Sequence, residues 1–110
     1  MSGNGRGSDT NGGPTNGHTC PALFAGAKLA SPKGDVIANL KAGDTLDLRV
    51  IQQGSTYILI ASTGGADAGS VTHTSITQII KCIQDGHNYV GHITKLEGGN
   101  LELDIRLLSQ

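Results

Sequence analysis

The histidines are the first residues whose type could support chemistry. His73, His87 and His92 lie in the second half of the chain, and His18 lies near the N-terminus. A zinc site needs three or four ligands that converge on one point. Because side chains alternate along a strand, the odd spacing of His87 and His92 places them on opposite faces if a strand begins at His87. We therefore expect surface or capping histidines, with no metal and no cofactor.

Catalysis is the second chemistry to consider. Cys82 would act as a nucleophile only if it were accessible beside a base such as His73 or His87. It lies instead among isoleucines at helical spacing, so we expect a buried, inert thiol. Glu102 and Asp104 share one exposed face of a predicted strand, which is typical of a solvated surface. The sequence therefore predicts a protein that is not an enzyme.

The two cysteines, Cys20 and Cys82, are far apart in the sequence and form no CxxC motif. A single disulfide is possible, but we expect two free thiols in a reducing cytoplasm. No apolar run approaches the roughly 18 residues needed to span a bilayer, so no contact with a membrane is expected.

Basic residues are the last candidates. Lys28, Lys33, Lys41 and Arg49 lie in the first half of the chain, followed by the aromatic Tyr57. If they lay on neighbouring strands, these five residues could form a modest groove for nucleic acid, because a few phosphate contacts suffice for weak binding. The chain has 8 basic and 9 acidic residues and a net charge of -1, so composition does not favour such a groove.

The length of 110 residues suits one domain. Residues 1–19 contain no Val, Ile, Leu or Phe and are rich in Gly and Asn, so we expect a disordered tail. Residues 20–110 are expected to form the single domain. Its core must be aliphatic, because aromatic residues make up only 3% of the chain.

Alternating apolar residues predict strands on both sides of one helical segment. Residues 22–30 are a predicted strand kinked at Gly26, and residues 45–51 and 56–62 form a predicted hairpin. Ile76, Ile79, Ile80 and Ile83 follow the spacing of a helix over residues 75–85, which Ser75 and Gln78 would open as a capping box. A second hairpin follows over residues 89–96 and 101–108. The predicted fold is α+β but mostly β, a small antiparallel barrel or bent sheet of about six or seven strands with one helix.

Residues 40–106 resemble the HIRAN domain, a small β-barrel with an inserted helix. The matching segments are Leu40-Lys41-Ala42-Gly43-Asp44, Ile58-Leu59-Ile60, Gly69-Ser70-Val71, Ile83-Gln84-Asp85-Gly86 and Tyr89-Val90-Gly91-His92-Ile93. The resemblance implies recognition of DNA ends or single strands. The chain departs from the family in the central hairpin, where Gly54-Ser55-Thr56-Tyr57 replaces the usual Asn-Pro-Tyr-Asp type of segment.

The leading functional hypothesis is a non-catalytic adaptor or regulatory module that binds a protein partner or a second copy of itself. Strand edges of a small barrel can accept a strand from another chain. The uncharged stretch over residues 57–66 and the isoleucine-rich helix are the expected contact surfaces. The alternative is a DNA-binding module of the HIRAN-like kind.

Overall fold

The computed structural model describes residues 19–109 of the chain. The tail predicted over residues 1–19 therefore lies almost entirely outside the described residues. The elements in chain order are β1 (Leu23–Ala30), α1 (Gly34–Ile37), β2 (Thr45–Gln53), β3 (Thr56–Thr63), β4 (Ala66–Thr72), α2 (Ile76–Gln84), β5 (Asn88–Glu97) and β6 (Asn100–Ser109).

The strands of residues 19–109 form a closed antiparallel barrel in the order β1-β4-β3-β2-β5-β6, and β6 pairs with β1 to close it. The predicted small barrel with a helix is therefore confirmed. The structure adds the short helix α1, which lies between β1 and β2. Closure also means that the strand edges expected from the sequence are mostly paired, because a barrel joins its first strand to its last.

Aliphatic side chains fill the barrel, as the composition requires. Leu46 and Leu59 are 1% exposed, and Leu101, Leu103 and Ile105 follow the predicted alternation into the core. Full burial of one such side chain stabilises the fold by roughly 1.5–3 kcal/mol. Asp47, Arg49 and Arg106 occupy the outward positions between these core residues and remain exposed.

The predicted kink at Gly26 is confirmed as an irregularity in the pairing of β1 with β6. The register shifts between Phe24 and Ala27, and Gly26 adopts a φ of 78° that glycine tolerates best. The bulge turns the N–H of Gly26 outward, where it donates to the Asp104 carboxylate at 3.2 Å. Asp104 therefore has a structural role on the strand face that the sequence assigned to solvent.

The β2–β3 hairpin extends past the strands that flank it. Gly54 and Ser55 form the two-residue turn, with the positive φ of 66° at the first turn position that a type II′ turn requires. β2 pairs with β5 only over residues 45–47, and β3 pairs with β4 only from Ile60 onward. The far half of the hairpin, residues 48–59, therefore extends beyond the residues that pair with β5 and with β4. Helix α2 packs against both strands of the hairpin.

Helix α2 lies where the isoleucine spacing predicts it, but the predicted capping box is wrong. The Ser75 side chain makes no capping hydrogen bond. The Ser75 N–H donates instead to His73 Nδ1 at 2.9 Å, and the His73 Nε2–H donates to the Ala25 carbonyl at 2.8 Å. The Gln78 side chain, which a capping box would direct to the helix start, donates to the Thr19 carbonyl at 2.6 Å.

The expectation of two free thiols is also wrong, because Cys20 and Cys82 form a disulfide with their Cα atoms 5.6 Å apart. The bond ties the segment 19–22, which we call the strap, to α2. Hydrogen bonds also hold the strap: Gln78 of α2 donates to Thr19, the Tyr89 hydroxyl of β5 donates to the Pro21 carbonyl at 2.7 Å, and the Leu107 N–H of β6 donates to the Ala22 carbonyl at 2.8 Å. Burial raises the pKa of Tyr89, which keeps this hydroxyl protonated as a donor.

Candidate functional site

A groove runs along α2 where the β2–β3 hairpin separates from β4. We call it the helix groove. It consists of two adjoining depressions of about 390 and 340 Å³ that share Thr56, Tyr57, Thr77 and Ile80. One extends toward β4 and the start of α2; the other extends toward the hairpin turn and the end of α2. The remaining lining residues are Ser55, Ile58, Leu59, Ser70, Val71, Thr72, His73, Ile76, Lys81 and Gln84.

The helix groove is lined by aliphatic, aromatic and hydroxyl side chains. Tyr57 is 46% exposed, and Ile58 and Ile76 are half-buried, so apolar surface is open to a ligand there. Lys81 carries the one formal charge among the lining residues. Both ring nitrogens of His73 are engaged in hydrogen bonds to the backbone. The groove therefore offers apolar surface and one cation rather than groups arranged for proton transfer.

The two flanks of α2 have different roles. Gln78 and Cys82 are one turn apart and face the strap. Thr77 and Lys81 lie on the other flank and line the helix groove. Ile79 lies on the core side, fully buried. The disulfide therefore fixes the helix from the side opposite the groove and positions one of the groove's walls.

The predicted cations do not form one surface. Lys28 is on β1 and Arg49 is on β2, and two strands separate β1 from β2 in either direction around the barrel. The two side chains therefore lie on opposite walls, whereas the predicted nucleic-acid groove needed them on neighbouring strands. Tyr57, the aromatic member of the set, lies in the helix groove instead.

Arg49 is paired rather than free. Its guanidinium contacts the Asp67 carboxylate at 2.9 Å, and Lys33 contributes a further positive charge near that carboxylate. The hydrogen bond from Arg49 lowers the pKa of Asp67, and the same bond raises the pKa of Arg49. Lys33 and Arg49 therefore come together, but around an acid that offsets their charge.

The other two predicted cations lie in mixed surroundings. Lys28 borders a cleft of about 250 Å³ at one end of the barrel, together with Lys95, Glu97 and Glu102. Lys41 precedes β2, and its backbone N–H donates to the Asp44 carboxylate at 3.0 Å. Neither lysine joins a uniformly basic patch with the others.

The Arg49–Asp67 pair gives a prediction of small effect. The two side chains are 50% and 41% exposed, so solvent screens their attraction. We expect Asp67→Asn to change the melting temperature by less than about 3 °C at pH 7. Because the pKa of Asp67 is lowered, the contribution of the pair is present at neutral pH and is lost as the pH falls through that lowered pKa. Thermal melts of both proteins between pH 2 and pH 7 check this, and a larger difference at pH 7 contradicts it.

The histidines and carboxylates of residues 19–109 nowhere gather in a group of three or more that could hold a metal ion. His87 Nδ1 lies 3.2 Å from the Cys82 carbonyl at the end of α2, and His92 pairs with Thr45 and Asp104 within the sheet. His18 lies outside the described residues. No helix in the described part of the chain has the length and apolar character to cross a membrane.

Comparisons with known proteins add information about the fold alone. No protein-family model and no curated protein sequence matches the chain. The structure is similar to that of a protein from Lactobacillus plantarum solved as a structural genomics target, with a TM-score of 0.62 and 15% sequence identity. The match covers 78% of this chain and 94% of that one. The resemblance to the HIRAN domain stays a prediction.

Sequence patterns predict two of the segments that line the helix groove, but they do not predict the groove. The stretch over residues 57–66 and the isoleucine-rich helix were the expected contact surfaces, and both contribute walls. The separation of β3 from β4 depends on the course of β4, which turns to pair with β1. No local signal in the sequence specifies that divergence.

Proposed function

We propose that this chain is a non-catalytic binding module, and that the helix groove is where it takes up an apolar segment of a partner protein. The observation that carries the proposal is the position of the groove, where open apolar surface lies between a strand and a helix. One wall is the end of β3 that is paired with β2 in the hairpin, and the other is a helix fixed by a disulfide. Binding sites for peptides are commonly built on such elements.

Several features of the described residues support protein over nucleic acid as the partner. The groove lining has one formal charge, that of Lys81. The cations that would contact phosphates are divided between opposite walls of the barrel, and Arg49 is paired with Asp67. Phosphate binding depends on uncompensated basic side chains. DNA binding of the HIRAN-like kind is the alternative that the sequence predicts.

The disulfide also bears on where the protein works. The prediction of a cytoplasmic location was based in part on free thiols, and the Cys20–Cys82 bond removes that part of its support. Disulfides persist in oxidising compartments and are rare in a reducing cytoplasm. We therefore propose that the protein functions in an oxidising compartment. Alkylation of thiols in protein taken directly from its native cells tests this: the label should enter only after reduction, and labelling without reductant overturns it.

Blocking the groove tests the proposed function. Thr77 is exposed and lines both depressions, so Thr77→Arg places a bulky side chain in the groove while leaving the core intact. We expect wild-type protein to enrich members of a library of random seven-residue peptides with free carboxyl ends. Thr77→Arg should weaken binding of the enriched peptides by at least about tenfold.

The matched control is Thr45→Arg, which adds the same side chain at an exposed site at the opposite end of the hairpin. It should bind the peptides as wild type does. Thr56→Arg provides a second block from the strand side of the groove if Thr77→Arg lowers the melting temperature. Absence of enrichment, or enriched peptides that bind both groove variants normally, would overturn the proposed function.

A further inference from the structure

The strand that forms one wall of the helix groove has a backbone edge with no partner strand among residues 19–109. β3 begins at Thr56, but its pairing with β4 begins only at Ile60. The free part of the edge is therefore Thr56–Leu59, and it borders the groove along its length. The hairpin's other edge, on β2 beyond Asp47, is also free of strand pairing, but the groove does not lie along it.

Hydrogen-bonded and non-hydrogen-bonded residue pairs alternate along the β2–β3 hairpin, and this alternation identifies which backbone groups face the groove. Gln53 and Thr56 flank the two-residue turn, and such a flanking pair exchanges hydrogen bonds. The N–H and C=O groups of Thr56 and Ile58 therefore point toward β2. Those of Tyr57 and Leu59 point away from β2, toward the groove. Leu59 is buried and Tyr57 is exposed, so the N–H and C=O of Tyr57 are the donor and acceptor that the edge presents to a ligand.

This edge also lacks the features that usually keep a free strand unpaired. Exposed edges are commonly protected by charged residues, by proline or by a bulge. The segment Thr56-Tyr57-Ile58-Leu59 has no charge and no proline, and its pairing with β2 is regular. An uncharged, regular edge beside open apolar surface is suited to adding a strand from another chain.

The charge of the groove indicates which side chains the added strand should carry. Lys81 lies near the hairpin turn, together with Ser55 and Gln84, and no carboxylate of residues 19–109 lines either depression. A bound segment that carries a carboxylate at this end would complement the lysine, whereas a second cation would be repelled. The rest of the groove requires apolar side chains.

The chain's own N-terminal residues are unsuited to this role. Residues 1–18 contain no Val, Ile, Leu or Phe to occupy an apolar groove. The occupant is therefore expected to come from another protein.

From these observations we infer that the ligand is an extended segment of a partner protein that adds as a strand to Thr56–Leu59, with apolar side chains in the helix groove and a carboxylate beside Lys81. This inference deepens the proposed function and rests on it. The proposed function requires only that the groove be occupied. The inference requires in addition that the backbone of β3 form hydrogen bonds with the ligand.

A proline substitution separates these two requirements. The Tyr57 N–H faces the groove and not β2, so Tyr57→Pro removes a donor from the free edge without breaking the β2–β3 ladder. Tyr57→Val is the matched control, because it removes the same aromatic ring but keeps the N–H. We expect Tyr57→Pro to weaken binding of the library-selected peptides about tenfold or more relative to Tyr57→Val. Thermal melts verify that both variants fold.

The ligand can be altered in the same way, without changing the protein. Methylation of alternate backbone nitrogens in an enriched peptide prevents those groups from donating to β3. One of the two alternating patterns should weaken binding by about tenfold and the other should have little effect. Lys81→Glu should weaken binding of peptides with a terminal or side-chain carboxylate, and Lys95→Glu, at the far end of the barrel, should not.

The outcomes distinguish failure of the inference from failure of the proposed function. If groove-blocking variants abolish binding but neither Tyr57→Pro nor either methylation pattern weakens it, strand addition is overturned and the groove remains a binding site. If no groove-dependent peptide is enriched, both fail. If sedimentation shows a dimer that Tyr57→Pro dissociates, the edge belongs to a second copy of this chain and the inference of a foreign partner is overturned.

Discussion

Reduction of the Cys20–Cys82 disulfide is expected to lower the free energy of unfolding by about 4 kcal/mol. The bond closes a loop of 62 residues, and the chain-entropy model gives this value for a loop of that length. A domain of about 90 residues loses roughly 4–8 °C in melting temperature for each kcal/mol, so the shift should be about 15–30 °C. The effect is large because the bond closes a long loop and so restricts the unfolded chain.

Thermal and urea unfolding with and without dithiothreitol measure this effect. Cys20→Ala is the matched control, because it breaks the disulfide while leaving the buried Cys82 in place. The variant should unfold like reduced wild type and should not respond to dithiothreitol. A wild-type protein that melts at the same temperature in both conditions, with its thiols shown to be reduced, contradicts the stabilising role of the strap.

Ile79→Asp is the second substitution with a large expected effect. Ile79 is fully buried at the centre of the core side of α2. An aspartate there would be an unpaired charge in an apolar core, which costs several kcal/mol. Since small domains are stable by only about 5–15 kcal/mol, the variant should be largely unfolded or should fail to fold.

Circular dichroism and amide NMR spectra of the variant test this expectation. Thr77→Asp introduces the same side chain on the same helix at an exposed position, and it should change stability by no more than about 0.5 kcal/mol. A soluble Ile79→Asp protein with a native-like spectrum and melting temperature contradicts the packing of α2 onto the barrel.

Local patterns in the sequence predicted most of the elements. Alternation of Leu46, Leu48 and Val50 with charged residues indicates β2, and the four isoleucines indicate α2, because periodicity reflects which face meets the core. The capping box was wrong for a physical reason. Ser75 and Gln78 match its pattern, but His73 accepts the N–H of Ser75, and the strap provides an alternative acceptor for Gln78.

Contacts between segments that are distant in the sequence could not be predicted from local patterns. The disulfide depends on how the strap crosses α2, and the two cysteines carry no spacing signal of their pairing. The same limit applies to the predicted cation surface. Lys28 and Arg49 are both outward residues of strands, as expected, but the order of the strands around the barrel places them on opposite walls.

Mapping of amide chemical shifts tests the central claim most directly. The oxidised, full-length protein would be titrated with the peptide that the library selection enriches most, and backbone ¹H–¹⁵N spectra would be recorded. The largest shifts should fall on Thr56–Leu59 and on the flank of α2 that carries Thr77 and Lys81. Largest shifts around Lys28 or around Arg49 would contradict the assignment of the helix groove as the binding site.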